Sequence, residues 1–549
     1  MIKNMRIAIL GYGIEGKALL KYFLSKGYTN ITVCDQRDAF KSSLDKDGEN
    51  KDRKNTSGGN TKNPYGAQRL NIKIQTNFGK NYLKNLKSCD VIFRSPGISC
   101  LTPEIIEAKR RGQNVTSLTQ YFFDHCPCPI IGVTGTKGKG TTSTLIYKIL
   151  KKAGRDAYLG GNIGDPPLDF LKKLKKTSWV VLELSSFQLQ DMTKSPHIAV
   201  ILNVTSEHLD YHRSLEEYHE AKEGLVAFQK KNDYLVVNED YEKSLSYASK
   251  TNAATYTVSR KHAVKRGAYI ENGTLYVADE TFLNIQHPPF PQNPYPIIST
   301  REVGLIGAHN LENILPAITV GAILKIHPDD IRSAVQEFRG LPHRLEFVAE
   351  KEGVKYYNDS FSTTPETTIA AIDSFTSPLI IIVGGSEKYS DFNALAEKIV
   401  HARHIKKVIF LGKESAKRIE KAIHLANKRA IKKIKHQNAQ TRANKQSRAD
   451  KQECPDERLQ SNEQSHSDKQ TRLDERLQSD EQIRPDISFI FSHAMSMNEA
   501  LQSARKDAKK GDTVLLSPAC ASFDLFNNYK ERGEIFKNLI SVERGRPCL

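Results

Sequence analysis

A chain of 549 residues is too long for one hydrophobic core and leaves room for about three domains of ordinary size. With 38% apolar and 26% charged residues it is lean in core-forming side chains, so some segments should be polar and uncored, and no run approaches the roughly 20 apolar residues of a membrane helix. The formal net charge of +18 is dispersed, with no aromatic stacking module among the basic residues, which points to local anion sites and away from nucleic acid.

The first segment reads as strand, turn, helix and strand. Arg6–Leu10 is a short apolar run that passes straight into a glycine turn, not the layout of a signal peptide, so the chain is expected to be cytoplasmic with no membrane insertion. The turn is Gly11-Tyr12-Gly13-Ile14-Glu15-Gly16. Lys17–Lys26 has helical spacing of Leu19, Leu20, Phe23 and Leu24, and Ile31–Cys34 is the next strand. Asp35 follows Gly16 by 19 residues, the spacing of an acid that contacts a ribose, and Arg37 beside it can pair with a phosphate. Residues 39–70 are polar and glycine-bearing and read as a disordered insertion. Order resumes near Ile72, and Asp90–Phe93 is a strand ending at Arg94-Ser95-Pro96-Gly97.

The eight cysteines are scattered, as reduced thiols are. His125-Cys126-Pro127-Cys128 has two thiols, but no second ligand pair follows at zinc spacing. Next comes the strand Pro129–Val133 and the loop Gly132-Val133-Thr134-Gly135-Thr136-Lys137-Gly138-Lys139-Gly140-Thr141-Thr142, which opens the helix Ser143–Lys152. Glycines let backbone N–H groups turn inward around phosphate oxygens, and the helix N-terminus adds positive potential. Lys139 can reach outer phosphates, and a hydroxyl after it can hold Mg²⁺. Two further strands, Trp179–Leu184 and Ile198–Asn203, place Glu183 and His208 at or past strand ends. In an open parallel sheet such ends gather beside the phosphate loop, where a carboxylate and an imidazole can hold a divalent ion.

A third unit follows Gly340. Its strands Leu379–Val383, Val408–Leu411, Ser488–Phe491 and Thr513–Leu516 alternate with helical stretches, which predicts a parallel sheet. Residues 428–486 interrupt it as a charged, low-complexity, partly helical excursion. There Asp456–Ser461 recurs 18 residues later as Asp474–Ser479. The fold class is therefore α/β, with domains expected at 1–125, 126–340 and 341–549.

The phosphate loop, ELSSFQL (183–189), LNVTSEHLD (202–210), GAHNLEN (307–313), GLPHRLE (340–346), NDS (358–360), GGSEKYSDF (384–392) and LLSPACASFD (515–524) occur in the order seen in Mur ligases, and the chain resembles that family over nearly its whole length. The last motif, with Phe526, Tyr529, Arg532 and Gly533, resembles the member that adds D-glutamate. The resemblance implies a Rossmann-like UDP-binding domain, a central P-loop-type ATPase domain and a Rossmann-like C-terminal domain. It implies an ATP-dependent ligase joining D-glutamate to UDP-N-acetylmuramoyl-L-alanine through an acyl-phosphate in peptidoglycan precursor synthesis, acting as a monomer. Another Mur ligase or a folylpolyglutamate synthase is the alternative within this chemistry, and an inactive nucleotide-binding regulator the one outside it.

Residue by residue, the resemblance assigns Gly11, Gly13, Ile14, Glu15, Gly16, Asp35, Gln36, Arg37, Ser95, Pro96 and Gly97 to the UDP end, with Asn162 and Gln188 toward the sugar and alanine. ATP falls to Gly135, Thr136, Lys137, Gly138, Lys139, Gly140, Thr141, Asn310, Asn313, Arg344 and Asp359. Lys139, Glu183, His208 and Lys222 form the catalytic set. Mg²⁺ falls to Thr141, Glu183, His208 and a carbamylated Lys222, and D-glutamate to Thr363, Lys388, Ser522 and Tyr529. Two positions depart from the family pattern. Gly140 stands where Ser or Thr usually follows the loop lysine, as in folylpolyglutamate synthases, so Thr141 must supply the hydroxyl. Phe361 stands where a lysine usually follows Asn358-Asp359-Ser360.

Overall fold

A computed structural model of the chain describes residues 4–38, 73–205, 214–280, 294–386, 389–449 and 491–541. They divide into two compact units, Met1–Leu305 with His309–Phe338, and Ile306–Ala308 with Arg339–Leu549.

The first unit holds two sheets. One is built from β1 (Ile7–Leu10), β2 (Asn30–Asp35), β3 (Lys73–Phe78), β4 (Val91–Arg94) and β5 (Asn114–Thr116), in the order β3-β2-β1-β4-β5 with every pairing parallel. β1 and β4 are buried at every position, which is why they read as unbroken apolar runs and not as alternating ones. The helix Ile14–Ser25 packs Leu19, Leu20 and Phe23 against them, starting three residues before the helical spacing suggests.

The second sheet runs β6 (Ile130–Thr134), β7 (Ala157–Gly161), β8 (Trp179–Glu183), β9 (Ile198–Ile201), β10 (Tyr234–Asn238), β11 (Ala254–Ser259), β12 (Gly267–Glu271), β13 (Thr274–Ala278) and β14 (Tyr295–Ser299). Its order is β14-β13-β12-β11-β10-β9-β6-β8-β7. It is parallel from β7 across to β12 and antiparallel over β12, β13 and β14. One buried cluster, from Ile7 and Phe93 through Phe122 to Leu182 and Val237, joins the first sheet to the second, so the two share a core.

The second unit carries β15 (Glu346–Lys351), β16 (Val354–Asn358), β17 (Leu379–Val383), β18 (Ile405–Leu411), β19 (Phe491–Ala494) and β20 (Thr513–Leu516), in the order β15-β16-β20-β17-β18-β19. The parallel sheet read from the sequence is present, with β15 added antiparallel at one edge through a tight reversal at Glu352-Gly353. Layers of buried side chains cover both faces of β17 and β20.

Several expected boundaries move. β8 and β9 stop before Leu184 and Leu202, β18 starts at Ile405, and the helix after the phosphate loop starts at Lys139 and not at Ser143. Position 428 is not an edge of order. The helix Glu414–Ala449 runs through it and packs Ile419, Ile423, Ala426 and Ala430 into the core. The insertion expected at 39–70, the internal repeat and residues 488–490 lie outside the described residues. No helix among the described residues is long and apolar enough to cross a membrane, and Cys34, Cys89, Cys100, Cys126, Cys128 and Cys520 are free thiols.

Candidate active site

At the C-terminal end of β1 the glycine turn and the start of the first helix meet the ends of β2 and β4. Gly16 has to be glycine, because a Cβ there would sit 2.0 Å from the Gly11 carbonyl oxygen. The result is a pocket of about 480 Å³ lined by Gly11, Gly13, Ile14, Glu15, Asp35, Gln36, Arg37, Ser95, Pro96 and Gly97, all expected from the sequence, together with Tyr82 and Ile98, which were not. Gly16 packs the turn and is absent from the lining. Tyr82 lies in an irregular stretch after β3, where no motif marks it.

The acid expected to meet a ribose has a second task. Asp35 is buried, and one carboxylate oxygen accepts from the Tyr12 N–H at 2.7 Å while the other accepts from the Arg37 N–H at 2.8 Å. Burial pushes its pKa up, but the Arg37 side chain and these two backbone donors outweigh it and hold the carboxyl below its ordinary value. Asp35 therefore stays ionised and fixes both the glycine turn and the exposed Arg37. Glu15 is its opposite. Burial raises its pKa to about 6 although Gln188 Nε2 donates to Oε1 at 2.8 Å and Arg94 lies near, and Oε2 is buried with no hydrogen-bond partner among the described residues. Gln188 is itself fixed by the capping box it forms with Ser185 at the start of Ser186–Leu189. Arg94, 2% exposed, donates to Asp191 at 2.8 Å and to the Ile98 carbonyl.

The phosphate loop follows β6. Gly138 caps the helix Lys139–Lys152 at φ 86°, a backbone conformation that glycine adopts without strain, and a Cβ there would lie 2.0 Å from Asn313 Oδ1. Asn313 donates to Asn310 Oδ1 at 3.0 Å, and Thr142 donates to the Asn313 carbonyl at 2.9 Å, so the two expected nucleotide-contact asparagines are bound to the loop's own helix. Lys139 Nζ folds back on the carbonyls of Gly135 and Thr136 at 2.9 and 2.8 Å, closing the loop around its own charge. Gly140 and Thr141 are buried in the first helical turn, and Lys137 is exposed.

Two further expected residues converge on this loop. Lys222 is 1% exposed, lies 4.4 Å from the Tyr218 ring centroid, and points Nζ at the Gly135 carbonyl at 3.5 Å. The Tyr218 hydroxyl in turn lies 3.1 Å from Thr136 Oγ1 in the loop. At the end of β8, Glu183 Oε1 accepts from Asn162 Nδ2 at 3.0 Å, while Oε2 is buried with no hydrogen-bond partner among the described residues. A buried carboxylate oxygen left open is costly unless a cation or a donor meets it. His208 lies outside the described residues, and no group of three or more His, Cys, Asp or Glu side chains able to hold a metal gathers among those that are described.

In the second unit, Asp359 follows β16. Burial raises its carboxyl to about 6 against hydrogen bonds from Ser362, Ser517 and the Leu345 N–H and the charge of Arg344. The Arg344 guanidinium carbon lies 3.8 Å from the centroid of Phe361, and Phe361 meets Tyr529 edge-on at 5.0 Å. The aromatic departure at 361 thus provides a shelf for an expected nucleotide contact. Ser522 is buried and Thr363 half-buried; Lys388 lies outside the described residues. Arg532, which follows the LLSPACASFD motif, is fully buried. It donates to Ser360 Oγ at 2.9 Å and to the carbonyls of Ser360, Cys520 and Ala521 at 2.8, 3.1 and 3.0 Å, clamping the NDS turn to the 519–522 loop.

Residues 133–321 match the family described as the Mur ligase middle domain, and residues 343–454 the Mur ligase glutamate ligase domain. The UDP-N-acetylmuramoylalanine--D-glutamate ligase of Acetivibrio thermocellus is 34% identical over 542 residues, covering 98% of this chain and 97% of that protein. The enzyme of the same name from Clostridium tetani is 34% identical over 540 residues with the same coverage. Among solved structures, UDP-N-acetylmuramate-alanine ligase of Thermotoga maritima aligns with a TM-score of 0.50 at 15% identity, covering 97% of this chain and 99% of that one. The MurF ligase of Thermotoga maritima in complex with ADP aligns with the same score and identity over 98% and 96%. At that identity these two structures speak for the fold.

Proposed function

The chain belongs to the Mur ligase family, and from that premise we propose that it joins D-glutamate to UDP-N-acetylmuramoyl-L-alanine at the expense of ATP, a step of peptidoglycan precursor synthesis. The observation that carries the reading is the full-length similarity, at 34% identity, to enzymes named for that reaction. The three sheets are read as three domains, for the UDP-sugar, for ATP and for the amino acid. In this reading the pocket of about 480 Å³ takes the uridine diphosphate, with exposed Ile14 offering an apolar face and Arg37 a cation. Asn162 and Gln188 orient the acyl end.

The acyl carboxylate attacks the γ-phosphorus of ATP, giving an acyl-phosphate and ADP, and the D-glutamate amine then displaces phosphate. Lys139, released from its loop carbonyls by the incoming phosphates, stabilises charge on the phosphoryl group in flight. The open Glu183 oxygen and the buried Thr141 hydroxyl fit a magnesium ion, which supplies charge neutralisation to the phosphates when bound. His208 and a carbamylated Lys222 complete that set in this reading. Asn310, Asn313, Arg344 and Asp359 hold the nucleoside, and Thr363, Lys388, Ser522 and Tyr529 hold D-glutamate.

The test is phosphate release from ATP with UDP-N-acetylmuramoyl-L-alanine and Mg²⁺, comparing D-glutamate with L-glutamate, other amino acids and a folate acceptor. Release with D-glutamate alone is expected. Release with another acceptor would retain the ligase chemistry and move the specificity.

A further inference from the structure

We propose that Cys126 and Cys128 form a reversible dithiol–disulfide site at the base of the phosphate-loop strand, oxidised by a low-molecular-weight disulfide. The helix Leu118–His125 ends at Cys126, whose N–H donates to the Phe122 carbonyl, and β6 starts at Ile130. Between them the Cys126-Pro127-Cys128 turn brings Sγ of the two cysteines to 3.6 Å, with Cys126 Sγ also 3.4 Å from the Cys128 carbonyl oxygen. The sulfurs need to approach by only about 1.5 Å to reach the about 2.05 Å of a bond. Cys126 is half-exposed and Pro127 exposed, so a small reagent reaches the first sulfur from solvent, while Cys128 is buried behind it.

The pair is also graded electronically. The thiol–thiol contact with Cys128 lowers the pKa of Cys126 against the opposing effect of burial. The same contact, then burial and the negative charge of Cys126 and Asp156, raises Cys128. Cys126, the sulfur that solvent reaches, is therefore the attacking thiolate, and the buried Cys128 the resolving thiol. The Cys126 thiolate attacks one sulfur of the small disulfide, forming a mixed disulfide and expelling one thiolate. Cys128 gives up its proton and attacks Cys126 Sγ, expelling the second. The two protein thiols are oxidised by two electrons, and the small disulfide is reduced to two thiols.

A bridge across a single residue closes too short a loop to restrict the unfolded chain much, so its use is reversible chemistry and not stabilisation. A metal is a poorer occupant, since among the described residues no third Cys, His, Asp or Glu gathers with the pair.

The experiment treats the full-length enzyme with glutathione disulfide, blocks free thiols with N-ethylmaleimide, and maps peptides by mass without reduction. The expected peptide spanning Cys126–Cys128 is two hydrogens lighter, carries neither glutathione nor maleimide, and regains both thiols with dithiothreitol. Cys128→Ser should trap one glutathione on Cys126, and Cys126→Ser should leave Cys128 unmodified over the same time. Two maleimides on the wild-type peptide after treatment, or a stable glutathione adduct on wild-type Cys126, would overturn the proposal. So would stoichiometric zinc in the purified protein that is lost in Cys126→Ser.

Discussion

Single side chains in this protein do their work by being held in the wrong solvent. Glu15 has a folded pKa of about 6 against an ordinary 4.5, because burial disfavours its charge more than Gln188 and Arg94 restore it. Below about pH 4.5 folded and unfolded chains are both protonated there. As pH rises through about 6 the folded chain alone must bury the charge, so stability falls across that window, by roughly 2 kcal/mol at most, and stays lower at pH 7. Glu15→Gln should therefore raise the urea midpoint at pH 7.5 and leave it unchanged near pH 4.5, as read by denaturant titration at the two pH values. Asp359 titrates in the same direction and leaves a residual slope in the variant. Lys139→Ala should lower turnover by at least about a hundredfold. Binding of the UDP-sugar, followed by calorimetry, should change little, because no phosphate-loop residue lines the pocket proposed for it. Phe361→Leu removes the ring beneath Arg344. At a partly exposed site that contact is worth about 0.5–1 kcal/mol, so the KM for ATP should rise about two- to five-fold.

Elements in this chain are bounded by packing more than by composition. The basic run Lys428–His436 looks like the edge of an uncored segment, yet Ala426 and Ala430 on the same helix are buried against the third sheet. The periodicity was there, in small residues that carry little hydropathy. Deleting residues 437–484 spares Ala416, Ile419, Ile423, Ala426 and Ala430, the described residues of that helix in the buried core, so phosphate release should stay within a few-fold of wild type and the thermal midpoint within a few degrees. Loss of soluble, folded protein would show that the removed segment packs. The phosphate loop makes the complementary case. Its glycines and lysine were plain in the sequence, but the helix starts at Lys139 because Gly138 adopts the left-handed conformation and caps it. The strands of residues 234–299 carry no motif that groups them. Their edge is antiparallel, and short half-exposed strands such as Tyr295–Ser299 lack the unbroken apolar runs that marked β1, β6 and β17.

At the scale of the whole molecule, three sheets are organised into two compact units, the first and second sharing one core. The order of motifs along the chain determined the family, the α/β class and nearly the entire lining of the pocket at the end of β1 that is proposed to take the uridine diphosphate. Glycine turns, strand ends and phosphate loops are local devices, whose residues lie close in sequence and must be of particular types to work. What only the tertiary structure decided are relations between residues far apart in the chain. Gln188 reaches Glu15, Arg532 clamps Ser360 to Ala521, and Lys222 points at Gly135. It also left one oxygen of Glu183 buried, with no partner among the described residues. Burial, and with it the charge a carboxylate can keep, is set by what the rest of the chain packs around a side chain, and no spacing in the sequence encodes that.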